Sequence, residues 1–308
     1  MSAPVVVVIG DVINDFIVRP IGPIAVGTDT PSQIERSPGG SGANQAAWLA
    51  ALQTPARFVG RAGSHDASYH RAALEQLGVD VRLASADDQA TGMIVVLVAA
   101  DGERSMFTDR GANSTLGEAD LPEGILDGAR LLHVSGYQLF EPGSRAAVRR
   151  LWAAARDAGI ATSVDPASVA GLREVGREPF LEWTSGALFA FPNLDEGRLL
   201  SGADEPGEIV SSLLDRYRVV ALKLGPSGAM VASTDGQKVE VGPRDGVIVD
   251  STGAGDAFCA GFLASWMRDG DLEACALAAV SAAARAVGQV GARPRSVPVA
   301  RDVPPGSG

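Results

Sequence analysis

Short, uninterrupted apolar runs recur along the chain and predict the strands of a buried sheet. The first run consists of valine and isoleucine and ends at Gly10. The runs lie at 5–9, 131–134, 160–164, 187–191 and 219–224. Between them, apolar residues follow the spacing of one helix face at 44–52, 67–77, 145–158 and 209–217. Because strands that alternate with helices indicate βαβ units, we predict an α/β fold of three layers, α-β-α and Rossmann-like, around a mostly parallel sheet.

Two segments do not fit this alternation. Residues 16–36 hold β-branched residues interrupted by prolines, which is too irregular for a central strand. Residues 91–109 contain two strand-like runs joined across Asp101-Gly102, a dipeptide typical of hairpins. We predict that residues of about 14–38 and 91–110 form a small antiparallel sheet within a single domain spanning 1–308. This sheet is expected to be a lid, the surface of a homodimer, or a decoration of the main sheet's edge.

The charge balance restricts the partners of this chain. It carries 26 Lys and Arg against 37 Asp and Glu, a formal net charge of −11, and such a field repels nucleic acid and anionic membranes. No apolar run reaches the ~20 residues that span a bilayer, and residues 1–9 lack the basic region of a secretory leader, so we do not expect them to act as one. Cys259 and Cys275 lie in apolar helical stretches, so we expect buried free thiols in a cytoplasmic protein.

One glycine-rich turn carries the most specific chemical signal. Residues 250–256 read DSTGAGD, and an apolar helix pattern begins directly after Gly253. Glycines at a helix start let backbone N–H groups converge on an anion, which the helix dipole also attracts. A carboxylate there would repel that anion, so we interpret Asp256 as a base that takes a proton from a substrate hydroxyl. The alternative is a tight structural turn in which Asp256 complements the helix dipole.

Five segments along nearly the whole chain resemble the motifs of the PfkB carbohydrate kinases, a family with the ribokinase-like fold. Two of them, 39–46 (GGSGANQA) and 250–258 (DSTGAGDAF), are similar to the two signatures of that family. The others are 10–15 (GDVIND), 192–196 (PNLDE) and 222–228 (LKLGPSG). The resemblance implies an ATP-dependent phosphotransferase that moves the γ-phosphate to a hydroxyl of a small sugar or sugar acid.

The resemblance also implies roles for the matching residues around the phosphates. Asp256 corresponds to the general base, and the amides of Gly253, Ala254 and Gly255 to the anion hole for the transferred phosphoryl group. Asn193 and Glu196 are implied to hold Mg²⁺ through water, which suits an ion that keeps several waters. The ATP-binding set comprises Asn193, Lys223, Gly225, Gly228, Val280 and Ala284.

Several of these positions have alternative interpretations. Lys223 stands at an apolar strand end, where a buried charge needs a partner such as phosphate, unless the side chain reaches solvent. Asn193 and Glu196 alternatively form a turn and an exposed charge in a first helical turn. Groups around Asp250 and Thr252 are implied to bind a monovalent cation such as K⁺.

The acceptor sugar is implied to contact Asp15, Gly39, Gly40 and Asn44, with Asp11 as a further candidate. Paired glycines permit close approach of a sugar, and the Asn and Asp side chains supply directional hydrogen bonds. Turn chemistry after the first strand is the alternative explanation for both aspartates.

Other residues bear on which acceptor is used. Arg104 and Arg110 flank the second hairpin strand and either reach an acidic or phosphorylated acceptor or, as we expect, remain solvated. Ribokinases have Lys where this chain has Ser41 and Asn where it has Ile13, and no counterpart of their substrate glutamate is found within 137–141. These departures count against ribose as the acceptor.

Three other functions are weighed against a sugar kinase. A nucleoside kinase needs aromatic walls, which Phe107, Tyr137 and Phe140 would have to supply in a chain that is only 5% aromatic. A dinucleotide-dependent oxidoreductase needs G-x-G-x-x-G after the first strand, and Asp11 follows Gly10 instead. A non-catalytic sugar sensor would be expected to lose Asp256.

His133 lies in a predicted buried strand and is expected to be a hydrogen-bonded core residue.

Overall fold

The computed structural model describes residues 3–99, 104–244 and 246–295, which form thirteen strands and ten α-helices. The strands are β1 (Val5–Ile9), β2 (Ile13–Pro20), β3 (Ser32–Gly39), β4 (Ala56–Gly63), β5 (Asp80–Ala86), β6 (Gly92–Val98), β7 (Arg104–Asp109), β8 (Ala129–Ser135), β9 (Ala161–Asp165), β10 (Phe189–Ala190), β11 (Val219–Lys223), β12 (Ala229–Ser233) and β13 (Lys238–Val241). The helices are α1 (Ser41–Ala51), α2 (Ser64–Glu75), α3 (Tyr137–Phe140), α4 (Pro142–Asp157), α5 (Val169–Val175), α6 (Arg177–Thr184), α7 (Leu194–Ser201), α8 (Pro206–Leu213), α9 (Ala254–Met267) and α10 (Leu272–Val287).

The main sheet has nine strands in the order β13-β12-β11-β10-β9-β8-β1-β4-β5. The strands from β11 to β5 are all parallel, and β12 and β13 add an antiparallel edge. The α/β fold with a mostly parallel sheet is therefore confirmed. The sequence prediction lacked β4, β5, β12 and β13. Glycines or charged residues interrupt β4, β5 and β13 or alternate with their apolar positions, whereas β12 (AMVAS) is a short apolar run without such an interruption.

The two faces of the main sheet pack against different helices. In β1, Val6 and Val8 join a core with α1, α9 and α10, whereas Val7 and Ile9 join a core with α4 to α8. This alternation is the two-residue period of a strand that is buried on both faces. Three layers result, as predicted. Among the described residues, no helix is long and apolar enough to cross a membrane.

A second, small sheet has the strand order β3-β2-β6-β7. The predicted hairpin partners β6 and β7 are antiparallel, as are β2 and β3, although Asp101 and Gly102 lie outside the described residues. The central pair, β2 with β6, is parallel. The expectation of a wholly antiparallel small sheet was wrong at this pair. Strands β2 and β6 follow the parallel strands β1 and β5 after short connections, so they leave the main sheet in the same direction.

Candidate active site

A cavity of about 230 Å³ lies at the carboxyl edge of the main sheet, where ligands bind in open α/β folds. Its lining residues are Ser41, Tyr137, Asp165, Ala167, Asn193, Glu196, Lys223, Gly253, Gly255 and Asp256. A wider surface depression of about 680 Å³ beside α8 is lined by small and exposed acidic residues and has no buried charge. The buried charged groups therefore single out the first cavity.

The glycine-rich turn leads into α9 through a backbone conformation that only glycine adopts easily. Gly253 has φ of 78°, and a Cβ at this position would lie 2.6 Å from the Cα and the carbonyl oxygen of Ala292. The amide of Ala254 donates to the carbonyl oxygen of Ser251 at 3.3 Å. Within the described chain, the amides of Gly253 and Gly255 have no such acceptor. These are the N–H groups that a helix start leaves for an anion.

Asp256 lies in the first turn of α9 and is held by two donors from α1. The Ser41 hydroxyl donates to Oδ1 at 2.6 Å, and Asn44 Nδ2 donates to Oδ2 at 2.9 Å. Burial raises the pKa of Asp256 to about 7, although both hydrogen bonds lower it. A carboxylate with a pKa near neutrality that faces a cavity is suited to general base catalysis. Ser41, which departs from the ribokinase pattern, therefore contacts the predicted base.

Asp165 is a charged site residue that the sequence analysis missed. It ends β9, is 4% exposed, and accepts a hydrogen bond from Lys223 Nζ to Oδ1 at 3.0 Å. Gln45 Nε2 donates to its other oxygen at 3.0 Å. The signal in the sequence was a single acidic residue directly after an apolar strand run. Two residues later, Ala167 has φ of 70°, a strained conformation of the kind that clusters at functional sites.

The partner of Lys223 differs from the one expected. The sequence predicts phosphate or solvent as the partner of Lys223, but the ammonium group is paired with Asp165 and only 13% of the side chain is exposed. Burial lowers the pKa of Lys223, but Asp165, Cys259 and Glu196 outweigh this effect and raise it. Lys223 is therefore a fixed positive charge. It lies close to the predicted anion hole, since a Cβ on Gly255 would be 3.5 Å from its Nζ.

Asn193 and Glu196 cap α7 reciprocally. Asn193 Oδ1 accepts from the Glu196 amide at 2.9 Å, and the Glu196 carboxylate accepts from the Asn193 amide at 2.9 Å. Glu196 is 2% exposed, so the alternative of an exposed charge was wrong. Burial raises the pKa of Glu196 to about 7, while Lys223 lowers it and Asp165 raises it further. Among the described residues, no group of three His, Cys, Asp or Glu is arranged to hold a metal directly.

The remaining predicted ATP-binding residues do not line the cavity. Gly225 and Gly228 lie in the turn between β11 and β12 with φ of 58° and 92°, and a Cβ on Gly228 would lie 2.0 Å from Val241 O. This turn thus requires glycine for its own geometry. Both remaining residues lie on α10: Val280 is buried in the core, whereas Ala284 is partly exposed.

The two residues predicted to surround K⁺ are bonded to each other. The amide and hydroxyl of Thr252 donate to Asp250 Oδ1 at 2.9 and 2.7 Å. The Gly291 amide donates to Asp250 Oδ2 at 3.1 Å. Asp250 therefore joins the turn before α9 to the segment after α10.

The predicted acceptor residues lie together where β1 meets the small sheet. Gly39 leaves room for Asp15, because a Cβ there would be 2.0 Å from Asp15 Oδ2. Gly40 has φ of 97° and leaves similar room for the carbonyl of Asp11. Burial and the nearby Asp11 raise the pKa of Asp15 to about 7. Asn44 completes the set through its contact with the predicted base.

Two arginines belong to this acceptor region. Arg110, expected to be solvated, has a side chain that is only 18% exposed, with Nη1 3.4 Å from Asp11 Oδ2. Its guanidinium lies 4.4 Å from the centre of the Tyr137 ring, so that expectation was wrong. Arg293, which no motif indicated, donates from Nη2 to Gly39 O at 2.9 Å and from Nε to Asn44 Oδ1 at 3.3 Å. The side chain of Arg104 lies outside the described part of the structure.

The other titratable residues follow the structural expectations. Cys259 and Cys275 are buried free thiols. His133 is fully buried and its Nδ1 lies 2.8 Å from the Ser163 hydroxyl, which confirms a hydrogen-bonded core histidine.

Of the aromatic residues considered for a nucleoside pocket, Tyr137 lines the cavity and Phe107 is 61% exposed.

Comparisons with known proteins agree with this geometry. The family model described as pfkB family carbohydrate kinase matches residues 4–300. The chain is 36% identical over 262 residues to an ATP-dependent ribose-1-phosphate kinase of Halopiger xanaduensis, covering 84% of this chain and 83% of that protein. It is 30% identical over 272 residues to a fructokinase of Salmonella typhimurium, covering 85% and 84%. The crystal structure of an adenosine kinase from Sinorhizobium meliloti superimposes with a TM-score of 0.84 at 25% identity, covering 95% and 96%.

Proposed function

The chain belongs to the pfkB family of carbohydrate kinases, and we propose that it transfers the γ-phosphate of ATP to a hydroxyl of a small sugar with Asp256 as general base. One observation supports this proposal above the others. The Asp256 carboxylate faces the cavity at the start of α9 and has a pKa raised to about 7. The amides of the turn and the Lys223 ammonium group lie beside it. A base next to an anion site is what transfer of phosphate to a hydroxyl requires.

The proposed reaction divides the chemistry between these groups. Asp256 takes the proton of the acceptor hydroxyl as the oxygen attacks phosphorus, while Ser41 and Asn44 keep the carboxylate aimed at it. The amides of Gly253 and Gly255 stabilise the charge on the transferred phosphoryl group, with Ala254 contributing if its bond to Ser251 opens. Pre-positioned donors need no reorganisation during the reaction, which is why a rigid, glycine-dependent turn suits this role.

Magnesium and a monovalent cation have separate proposed positions. Glu196 and Asn193 would hold Mg²⁺ through water at the cavity wall, and the ion would neutralise charge on the triphosphate. The buried carboxylate of Glu196 fits a hydrated cation, because positive charge offsets the cost of its ionisation. Groups around Asp250 and Thr252 are proposed to hold K⁺ at the turn before α9.

The acceptor is proposed to lie between β1, α1 and the small sheet. Asp15, Asn44 and the backbone at Gly39 and Gly40 would bind its hydroxyls, with Asp11 as a further contact. The names of the similar proteins, a ribose-1-phosphate kinase and a fructokinase, support a small sugar of five or six carbons.

The small sheet is proposed to act as a lid and as a dimer surface. Strands β2 and β3 carry Asp15 and Gly39, so movement of the sheet would open and close the acceptor region. The apolar side chains of Ile34, Met106 and Phe107 are 67%, 60% and 61% exposed, which favours contact with a second copy. We propose the cytoplasm as its location, where both cysteines stay reduced.

A nucleoside kinase is the second candidate, and two observations favour it. The adenosine kinase structure superimposes over nearly the whole chain, and Tyr137 lines the cavity. Phe107, however, is 61% exposed and does not build a wall for a base. A sugar sensor without activity is disfavoured by the arrangement around Asp256.

A substrate panel tests the proposal directly. The purified protein is incubated with ATP and Mg²⁺ and with ribose, fructose, their 1-phosphates, 2-keto-3-deoxygluconate or adenosine, and ADP release is measured. We expect turnover of at least one sugar, sugar acid or sugar phosphate, and its loss when EDTA removes Mg²⁺. Turnover of adenosine alone would establish the nucleoside kinase, and no turnover of any acceptor would contradict the proposed function.

A further inference from the structure

Arg293 has an N–H group that the acceptor region leaves unbonded. Its Nη2 and Nε donate to Gly39 O and Asn44 Oδ1, but Nη1 is out of contact with water and bonds to no acceptor in the described chain. Buried donors are nearly always satisfied in folded proteins, because leaving one unpaired costs free energy. Of the eight buried side-chain atoms without a partner in the described part of the chain, this one belongs to a charged side chain at the predicted substrate site. We therefore expect the acceptor for Arg293 Nη1 to come from a bound ligand.

The charges around Arg293 make it different from the other cations of the site. Lys223 is paired with Asp165, and Arg110 with Asp11. Arg293 has no carboxylate within ion-pair distance among the residues that the structure describes. Burial lowers its pKa to about 10, and Asp15, Tyr69 and Asp256 oppose this effect, so it remains charged at neutral pH.

The position of Arg293 relative to the base fits the size of a small sugar. Asn44 connects the two, because its Nδ2 donates to Asp256 and its Oδ1 accepts from Arg293. A single side-chain amide thus separates the base from the guanidinium. An acceptor whose reacting hydroxyl lies at Asp256 would place another of its substituents beside Arg293.

We propose that Arg293 binds an anionic substituent of the acceptor, a phosphate or a carboxylate, so that the preferred acceptor is an anionic sugar. This inference rests on the proposed function and specifies its substrate class. A guanidinium presents its N–H groups as a planar fork that matches both anions, and charge-assisted hydrogen bonds are stronger than neutral ones. A hydroxyl oxygen of a neutral sugar also accepts from Nη1, but that bond has one charged partner instead of two and is therefore weaker.

The carboxyl group of Asp15 lies nearby and requires an explanation, since it would repel an anion. Its pKa of about 7 means that a large fraction is protonated at neutral pH. In that form it is a hydrogen-bond donor, so it would bind a phosphate or carboxylate oxygen instead of repelling it. Asp15 and Arg293 are therefore compatible with the same anionic group.

The test compares anionic acceptors with matched neutral ones. Values of kcat/KM are measured for ribose and ribose 1-phosphate, for fructose and fructose 1-phosphate, and for 2-keto-3-deoxygluconate. We expect the wild type to prefer an anionic acceptor by about ten- to hundredfold, the value of one charge-assisted hydrogen bond. Comparing kcat/KM for the two sugar phosphates with that for 2-keto-3-deoxygluconate shows whether the anion is a phosphate or a carboxylate.

Substitution of Arg293 assigns the preference to that side chain. In Arg293→Gln the ratio of kcat/KM for the anionic acceptor to that for the neutral one should fall by about tenfold or more. Arg293→Lys keeps the charge without the fork and should retain part of the preference. The control is Arg295→Gln, at an exposed position, for which the ratio should stay within about twofold of wild type.

The possible failures can be told apart. If Arg293 has only a structural role, its substitution should lower kcat/KM for both acceptors equally. An unchanged ratio of the two values in Arg293→Gln would therefore overturn the inference. A wild type that prefers neutral sugars would overturn it as well. If Arg293→Gln does not fold, the ratio in Arg293→Lys decides. If no acceptor is phosphorylated, the proposed function fails, and calorimetric titration of ribose 1-phosphate into wild type and Arg293→Lys still tests the anion site.

Discussion

The substitution Lys223→Met removes the positive partner of a buried carboxylate. Lys223 Nζ lies 3.0 Å from Asp165 Oδ1, and the two side chains are 13% and 5% exposed. After the substitution, Asp165 keeps the hydrogen bond from Gln45 but has lost its countercharge. The carboxylate must then remain charged without a partner or take up a proton, and either outcome destabilises the folded state.

The expected magnitude follows from this geometry. At 3.0 Å and an effective dielectric constant of ~20, the attraction between the two charges is about 5.5 kcal/mol. Removing one partner of a buried pair typically costs about 3–5 kcal/mol, whereas replacing both partners is often nearly neutral. We therefore expect Lys223→Met to lower the free energy of unfolding by about 3–5 kcal/mol, and Asp165→Asn combined with Lys223→Met to recover at least about 2 kcal/mol.

The assay is chemical denaturation of the wild type, both single variants and the double variant at pH 7. Lys238→Met is the control, because this lysine is 51% exposed and pairs with Glu240 at the surface; its cost should be below about 1 kcal/mol. A cost below about 1 kcal/mol for Lys223→Met would refute the reasoning. So would single-variant costs that simply add in the double variant.

Three further predictions concern the turn, the proton and the metal. Gly253→Ala should lower both kcat and the melting temperature, because the new Cβ would lie 2.6 Å from Ala292. Gly255→Ala is the control: its nearest contact is at 3.5 Å, so this variant should keep the melting temperature of the wild type. Equal melting temperatures for the two variants would contradict this. The wild-type kcat/KM should rise with pH as Asp256 loses its proton, with its midpoint near the pKa of about 7, and a profile without that rise would contradict it. The folded state holds the proton of Asp256 more tightly than the unfolded chain does. Protonation therefore stabilises the folded wild type at low pH, and this stabilisation is lost as pH rises through about 7. Asp256→Asn lacks this dependence, so its melting temperature relative to that of the wild type should increase with pH. Glu196→Gln should raise the Mg²⁺ concentration for half-maximal rate by about tenfold, and an unchanged requirement would remove Glu196 from the metal site.

The fold was predictable where a local pattern determines it. The valine run of β1 is buried on both faces, and this is what an uninterrupted apolar strand predicts. Strand β4 was missed because Gly60 and Gly63 interrupt its pattern. Gly60 has a tertiary reason, since a Cβ there would lie 2.9 Å from Gly10 O, a contact that depends on the neighbouring strand.

The site was predictable to the extent that its residues stand in continuous motifs. The turn with Asp256 combines glycines, a helix start and an acidic residue within a few positions, so its chemical role could be predicted from the sequence. Asp165 and Arg293 each act through residues far along the chain, Lys223 in one case and Gly39 and Asn44 in the other. Arg293 has no local signal that distinguishes it from other charged residues, and Asp165 has only its place directly after an apolar strand run. Their roles arise only when β9 is placed near β11, and when the chain after α10 returns to α1.

The most direct test of the account is the rate of phosphoryl transfer by Asp256→Asn, measured together with its affinity for ATP. The amide keeps the shape of the carboxylate but cannot take the acceptor's proton. We predict that kcat falls by ~10³-fold or more while the Kd for ATP stays within about threefold of wild type. A variant that retains kcat within about tenfold of wild type would show that Asp256 is not the base.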